Sequence, residues 1–149
     1  MSILIVEDDE GVQEALANVL SEEGYEVEVA RDGNEALQRL ESGPAPSLIL
    51  LDLMMPQMDG IEFRARQLAN SRLANIPVIV VSARPDARST AERLGAVDVL
   101  PKPMHFDALL HAVQNTAITV VRTADLPGKP KSLREAWRAL TSKSNKRDW

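Results

Sequence analysis

The chain of 149 residues is 44% apolar and 26% charged, a composition that closes one hydrophobic core and excludes a disordered chain. No apolar run approaches the roughly 18 residues that a bilayer demands. The start carries no basic export segment, and the absence of cysteine removes disulfides, thiolate metal sites and cysteine nucleophiles, so a cytoplasmic protein without membrane contact is expected.

Ser2 to Val6 is a continuous apolar run, the pattern of a strand buried on both faces of a parallel sheet. It stops at Glu7, Asp8, Asp9 and Glu10. Val12, Leu16, Val19 and Leu20 then recur at helical spacing over Gly11–Glu23, with Gly24 as the stop. The alternation continues with a strand at Glu26–Ala30, a helix at Gly33–Glu41, a strand at Ser47–Leu51 and a helix over Ile61–Arg72. A strand at Pro77–Ser82, a helix at Asp86–Leu94, a short strand at Val97–Leu100 and a last helix at Phe106–Val121 follow. Five strands alternating with five helices predict an α/β domain, a doubly wound five-stranded parallel sheet with helices on both faces, because right-handed crossovers place them there.

The net charge of −5 divides unevenly along the chain. Residues 1–121 hold 9 Lys and Arg against 19 Asp and Glu, whereas residues 122–149 hold 8 against 3. The division predicted is one domain over 1–121 and a basic linker with a short C-terminal helix over 122–149. Residues 123–131, with Pro127, Gly128 and Pro130, read as the linker. Ser132-Leu-Arg-Glu135 fits a capping box, and Leu133, Ala136, Trp137 and Leu140 fall on one helical face. That stripe predicts a docking helix for protein contact rather than for sequence-specific DNA binding.

Candidate chemistry concentrates at the strand ends. Glu7 and Asp8 follow the first strand, Asp52 ends the third, Ser82 ends the fourth, and Lys102 follows the fifth inside Pro101-Lys-Pro103. In an open parallel sheet, ligands bind beyond these carboxyl ends. A single acid there is ordinarily a helix cap; polar residues at four of five strand ends point to a site. Glu7, Asp8 and Asp52 crowded together require a cation, and an oxygen-only set without nearby His or Cys favours Mg2+.

These residues resemble the receiver domain of two-component response regulators. The resemblance runs through Ile3-Leu-Ile-Val-Glu-Asp8, Leu50-Leu-Asp-Leu-Met-Met-Pro56 with Met58-Asp-Gly60, Val80-Val-Ser-Ala83, and Gly95-Ala96 leading to Lys102-Pro103. It implies a flavodoxin-like receiver fold with strand order 2-1-3-4-5, and Asp52 as phosphoacceptor. It further implies Glu7 and Asp8 as Mg2+ ligands with Asp52 and the backbone carbonyl of Met54, Ser82 as a donor to the phosphoryl group, and Lys102 as its counter-charge. Asp9 is left to capping, and a cis Lys102–Pro103 bond is expected. Where the family commonly carries Tyr or Phe, three residues before the lysine, this chain has Val99.

The implied function is a phospho-switched signalling module, not a conventional enzyme. It is phosphorylated by a histidine kinase or phosphotransfer protein and read by an output protein or through homodimerisation. A Mg2+-dependent aspartyl-phosphate phosphohydrolase would need a second acid at position 54, and Met54 argues against it. The alternative is a phosphorylation-independent interaction or nucleic-acid-binding module that works through the basic tail.

Overall fold

The structure, a computed structural model, describes residues 1–124, with the backbone alone described for residues 120–124. Strands β1 (Ser2–Val6), β2 (Glu26–Ala30), β3 (Leu48–Asp52), β4 (Val78–Ser82) and β5 (Asp98–Pro101) alternate with helices α1 (Glu10–Glu22), α2 (Gly33–Ser42), α3 (Gly60–Ala69), α4 (Ala87–Leu94) and α5 (Phe106–Ala124). The strands form one parallel sheet in the order β2-β1-β3-β4-β5. This is the expected doubly wound arrangement.

Alternation of side chains along the central strands builds two apolar layers. Leu4 and Val6 of β1, Ile49 and Leu51 of β3, and Val78 and Val80 of β4 pack with Ala36, Leu40, Phe63 and Ala91 from α2, α3 and α4. The intervening residues Ile3, Ile5, Leu48, Leu50, Ile79 and Val81 pack with Leu16 and Leu20 of α1 and Leu109, Ala112 and Val113 of α5. Fully burying a side chain of this size contributes about 1.5–3 kcal/mol, so both sheet faces hold their helices firmly.

The helix ends follow local chemistry. Asp9, Asp32 and Asp59 cap α1, α2 and α3 by accepting the N–H groups of Val12, Glu35 and Glu62. After α1, Gly24 adopts φ 90° while Tyr25 N–H bonds Leu20 O and Gly24 N–H bonds Ser21 O, the paired closure that a left-handed glycine permits. Helix α3 ends at Ala69, three residues short of the expected Arg72, because Asn70 leaves helical geometry and its side chain accepts the Arg72 N–H. Strand β3 runs one residue further than expected, through Asp52, which pairs with Val81. Helix α5 runs on to Ala124, so Thr123 and Ala124, assigned to the linker by sequence, are helical. The rest of the expected linker and the Ser132–Leu140 helix lie outside the described residues.

One buried polar seam has no counterpart in the sequence pattern. Arg64 of α3, 4% exposed, donates to Leu94 O at 3.0 Å, to Gly95 O at 3.4 Å and to Gln67 Oε1 at 2.8 Å. Gln67, fully buried, donates onward to Leu73 O and Ile76 O. The C-terminal carbonyls of α4 are thereby satisfied from α3.

Candidate functional site

The parallel register sets the site. Val6 pairs with Leu51, so the residues that follow, Glu7 and Asp52, stand side by side beyond the apolar part of the sheet. Glu7, Asp8 and Asp52 each offer a carboxylate oxygen, and these oxygens lie within 4.8 Å of one another. Glu7 and Asp52 are buried while Asp8 is exposed, which leaves the cluster open on one side. Three hard oxygen donors at this spacing are compatible with Mg2+.

Lys102 closes the buried side. Its Nζ lies 2.7 Å from Glu7 Oε2 and 3.4 Å from Asp52 Oδ2. Its own N–H donates to Ser82 O at 3.1 Å, which ties the end of β5 to the end of β4, and the Lys102–Pro103 peptide is cis as expected. Burial, aided by the charge of Asp52, pushes the Glu7 carboxyl up to about 7 against the opposing Lys102 hydrogen bond. Burial also works against the Lys102 ammonium. The hydrogen bond to Glu7 and the charges of Asp52 and Glu7 outweigh it and hold Lys102 above the ordinary lysine range.

The remaining expected residues surround this cluster. Asp52 Oδ1 accepts the Met54 N–H at 3.0 Å, and the Met54 side chain is 60% exposed. Ser82 is buried at the end of β4, where its Oγ accepts the Arg84 N–H at 3.1 Å. Asp9 caps α1 and its N–H donates to Glu7 Oε1 at 3.2 Å. Val99 is partly buried against the α2–α4 layer. Sequence reasoning missed Gln13, whose side-chain amide donates to Glu7 O. No motif or spacing signalled it, since a polar residue in the first turns of an amphipathic helix reads as solvent-facing.

Fold and pocket together define a doubly wound α/β domain with an acid and lysine cluster at the carboxyl edge of its sheet. The family model for the response regulator receiver domain matches residues 3–114, and the chain belongs to that family, the receiver domains of two-component signalling. Among curated relatives, response regulator MprA of Mycobacterium avium (strain 104) is 43% identical over 112 residues, covering 74% of this chain and 48% of MprA. The chain spans about half the length of the curated relatives it matches. Among solved structures, the signal receiver domain of a signal transduction histidine kinase from Syntrophus aciditrophicus is 34% identical with a TM-score of 0.74, covering 85% of this chain and 96% of that one. Response regulator protein TrrA from Thermotoga maritima, in complex with Mg2+-BeF, is 31% identical with a TM-score of 0.68, covering 77% of this chain and 97% of TrrA. Among the described residues, no helix is long and apolar enough to cross a membrane.

Proposed function

We propose that this receiver accepts a phosphoryl group on Asp52 from the phosphohistidine of a histidine kinase or phosphotransfer protein in the cytoplasm, and that the phosphorylated form changes its binding to an output protein or to a second copy. The observation that carries this reading is the position of Asp52, a buried strand-end carboxylate shared between an acid cluster and a lysine ammonium. As an Asp52 oxygen forms its bond to phosphorus, the bond from phosphorus to the donor imidazole breaks and the electron pair leaves with the imidazole. The receiver thus catalyses its own loading, and slow hydrolysis of the acyl phosphate resets it.

The surrounding groups divide the work. Lys102, already drawn between Glu7 and Asp52, supplies positive charge beside the incoming phosphoryl oxygens. Ser82 accepts through its Oγ, so its own proton is available for a phosphoryl oxygen. Glu7, Asp8, Asp52 and the backbone carbonyl of Met54 would hold Mg2+, which when bound neutralises charge on the phosphoryl group. The donor set supports this assignment, being all oxygen with one face open, as does the Mg2+-BeF complex of the similar TrrA. An intact acid, serine and lysine set disfavours the alternative in which the basic tail works without phosphorylation.

Treatment with Mg2+ and acetyl phosphate tests the reading by intact mass and elution volume. One phosphoryl group is expected on the wild type, and none on Asp52→Asn or in excess chelator. Uptake by Asp52→Asn at the wild-type level would refute it.

A further inference from the structure

The two peptide groups that flank Asp8 are each held by a side chain. Asp9 N–H donates to Glu7 Oε1 at 3.2 Å, which pins the peptide between Asp8 and Asp9. Glu7 O, on the peptide between Glu7 and Asp8, accepts the side-chain amide of Gln13, which reaches back from α1 to the end of β1. Outside these two groups the chain is anchored as regular structure. Glu7 N–H bonds Ala30 O of β2 at 3.1 Å, and Asp9 O accepts the Gln13 N–H at 2.9 Å as α1 begins.

The three acids of the cluster are held in different ways. The Glu7 carboxylate is bonded by Lys102 and by Asp9 N–H, and that of Asp52 by Met54 N–H and the Lys102 ammonium. Asp8 is exposed, and its carboxylate has no hydrogen bond or ion pair among the described residues. Its direction is set by its own backbone, and so by the two flanking peptide planes. An Asp8 oxygen nevertheless stands within 4.8 Å of oxygens of Glu7 and Asp52, where like charge favours a wider spread. Gln13 is half-buried, and its amide is the one hold on these two planes that comes from outside the acidic run.

We infer that Gln13 is the positioning residue of the acid cluster: by gripping the Glu7–Asp8 peptide it aims the Asp8 carboxylate at the cation position, an inference that rests on the reading of Glu7, Asp8 and Asp52 as a Mg2+ site. A ligand held in place before the ion arrives loses less freedom when it binds. Without the amide, the Glu7–Asp8 peptide is free to tilt between its two anchors and the Asp8 carboxylate swings outward into water. Gln13 touches neither the ion nor the phosphoryl group and acts through Asp8 alone.

Two measurements on the full chain test the assignment. Gln13→Met keeps the length of the side chain and removes the donor, and Gln13→Ala removes both; each is a good helix former. By titration calorimetry, both should weaken Mg2+ binding by about tenfold, the lower end of what outer-shell partners of metal ligands are worth, while circular dichroism stays native. In an Asp8→Asn background Gln13→Met should change nothing further, because the residue it acts through is already lost. A full additional loss in that background would assign Gln13 a general structural role and overturn the proposal. In excess chelator, the residual dipolar coupling of the Asp8 N–H, which reads the tilt of the Glu7–Asp8 peptide, should change in Gln13→Met while those of Leu4 and Ile5 do not; an unchanged Asp8 coupling also overturns it. A wild type that binds Mg2+ and a Gln13→Met chain that binds it equally well overturn the positioning role alone, whereas a wild type without Mg2+ affinity overturns the metal site and this role together.

Discussion

Lys102 bonds Glu7 at 2.7 Å, a closer approach than its 3.4 Å contact with Asp52. The lysine is therefore first a partner of Glu7 and only second of Asp52. Removing it leaves two buried carboxylates without their counter-charge. Lys102→Met should lower stability in excess chelator by about 1–3 kcal/mol, the cost of stranding buried polar partners. Millimolar Mg2+ should recover much of that loss by replacing the positive charge. Denaturant melts with and without Mg2+ check both halves, and equal loss in the two conditions would separate the lysine from the acid cluster.

Glu7 sets a pH dependence. Its carboxyl is pushed up to about 7 in the folded protein against an ordinary 4.5, so the folded state holds this proton more tightly than the unfolded one. The contribution to stability is complete below 4.5 and is lost as pH rises through about 7. A divalent ion competes with the same proton, so apparent Mg2+ affinity should fall by up to about tenfold per pH unit below 7. Titration calorimetry from pH 8 down to pH 6 measures the slope. Glu7→Gln should weaken binding and flatten it.

The role proposed for Ser82 concerns the phosphoryl group rather than the metal. Ser82→Ala should leave Mg2+ affinity essentially unchanged and weaken beryllofluoride binding, because the hydroxyl is assigned to phosphoryl oxygens and not to the metal. Parallel titrations with Mg2+ alone and with Mg2+ plus beryllofluoride distinguish the two. A large loss of Mg2+ affinity would contradict the assignment.

Gly60 couples α3 to the site by close approach. A Cβ there would lie 2.6 Å from Asp52 O and 2.8 Å from Leu53 Cα, backbone atoms that cannot turn aside. Gly60→Ala should cost about 1–3 kcal/mol, as overpacking does, and should slow phosphoryl uptake by displacing the strand end. Chemical denaturation and acetyl phosphate loading read the two effects.

The strands were legible because β1, β3 and β4 are buried on both faces and so run apolar without interruption, ending where Glu7, Asp52 and Ser82 begin to serve the site. The acid cluster was legible for the same reason: strand-end acids in a parallel sheet converge on one edge. The choice of Lys102 for Glu7 over Asp52 was not, since 95 residues separate the pair and spacing carries no distance at that range. The early end of α3 was written only in Asn70, whose side chain turns the chain locally while the surrounding composition still favours helix. Arg64 and Gln67 were invisible because polar residues on an amphipathic helix ordinarily face water.

That seam between α3 and α4 behaves as a key in a slot. Apolar helix faces tolerate small rotations and axial slips because dispersion is nearly indifferent to direction, but the bonds from Arg64 to Leu94 O and Gly95 O hold only at one angle and one height. A slip of one helical turn, about 5.4 Å, would break both in an interior that offers no water in exchange. The helix that leaves Asp52 is thus keyed to the C-terminus of α4, and a displacement beginning at either one reaches the other as a rigid movement.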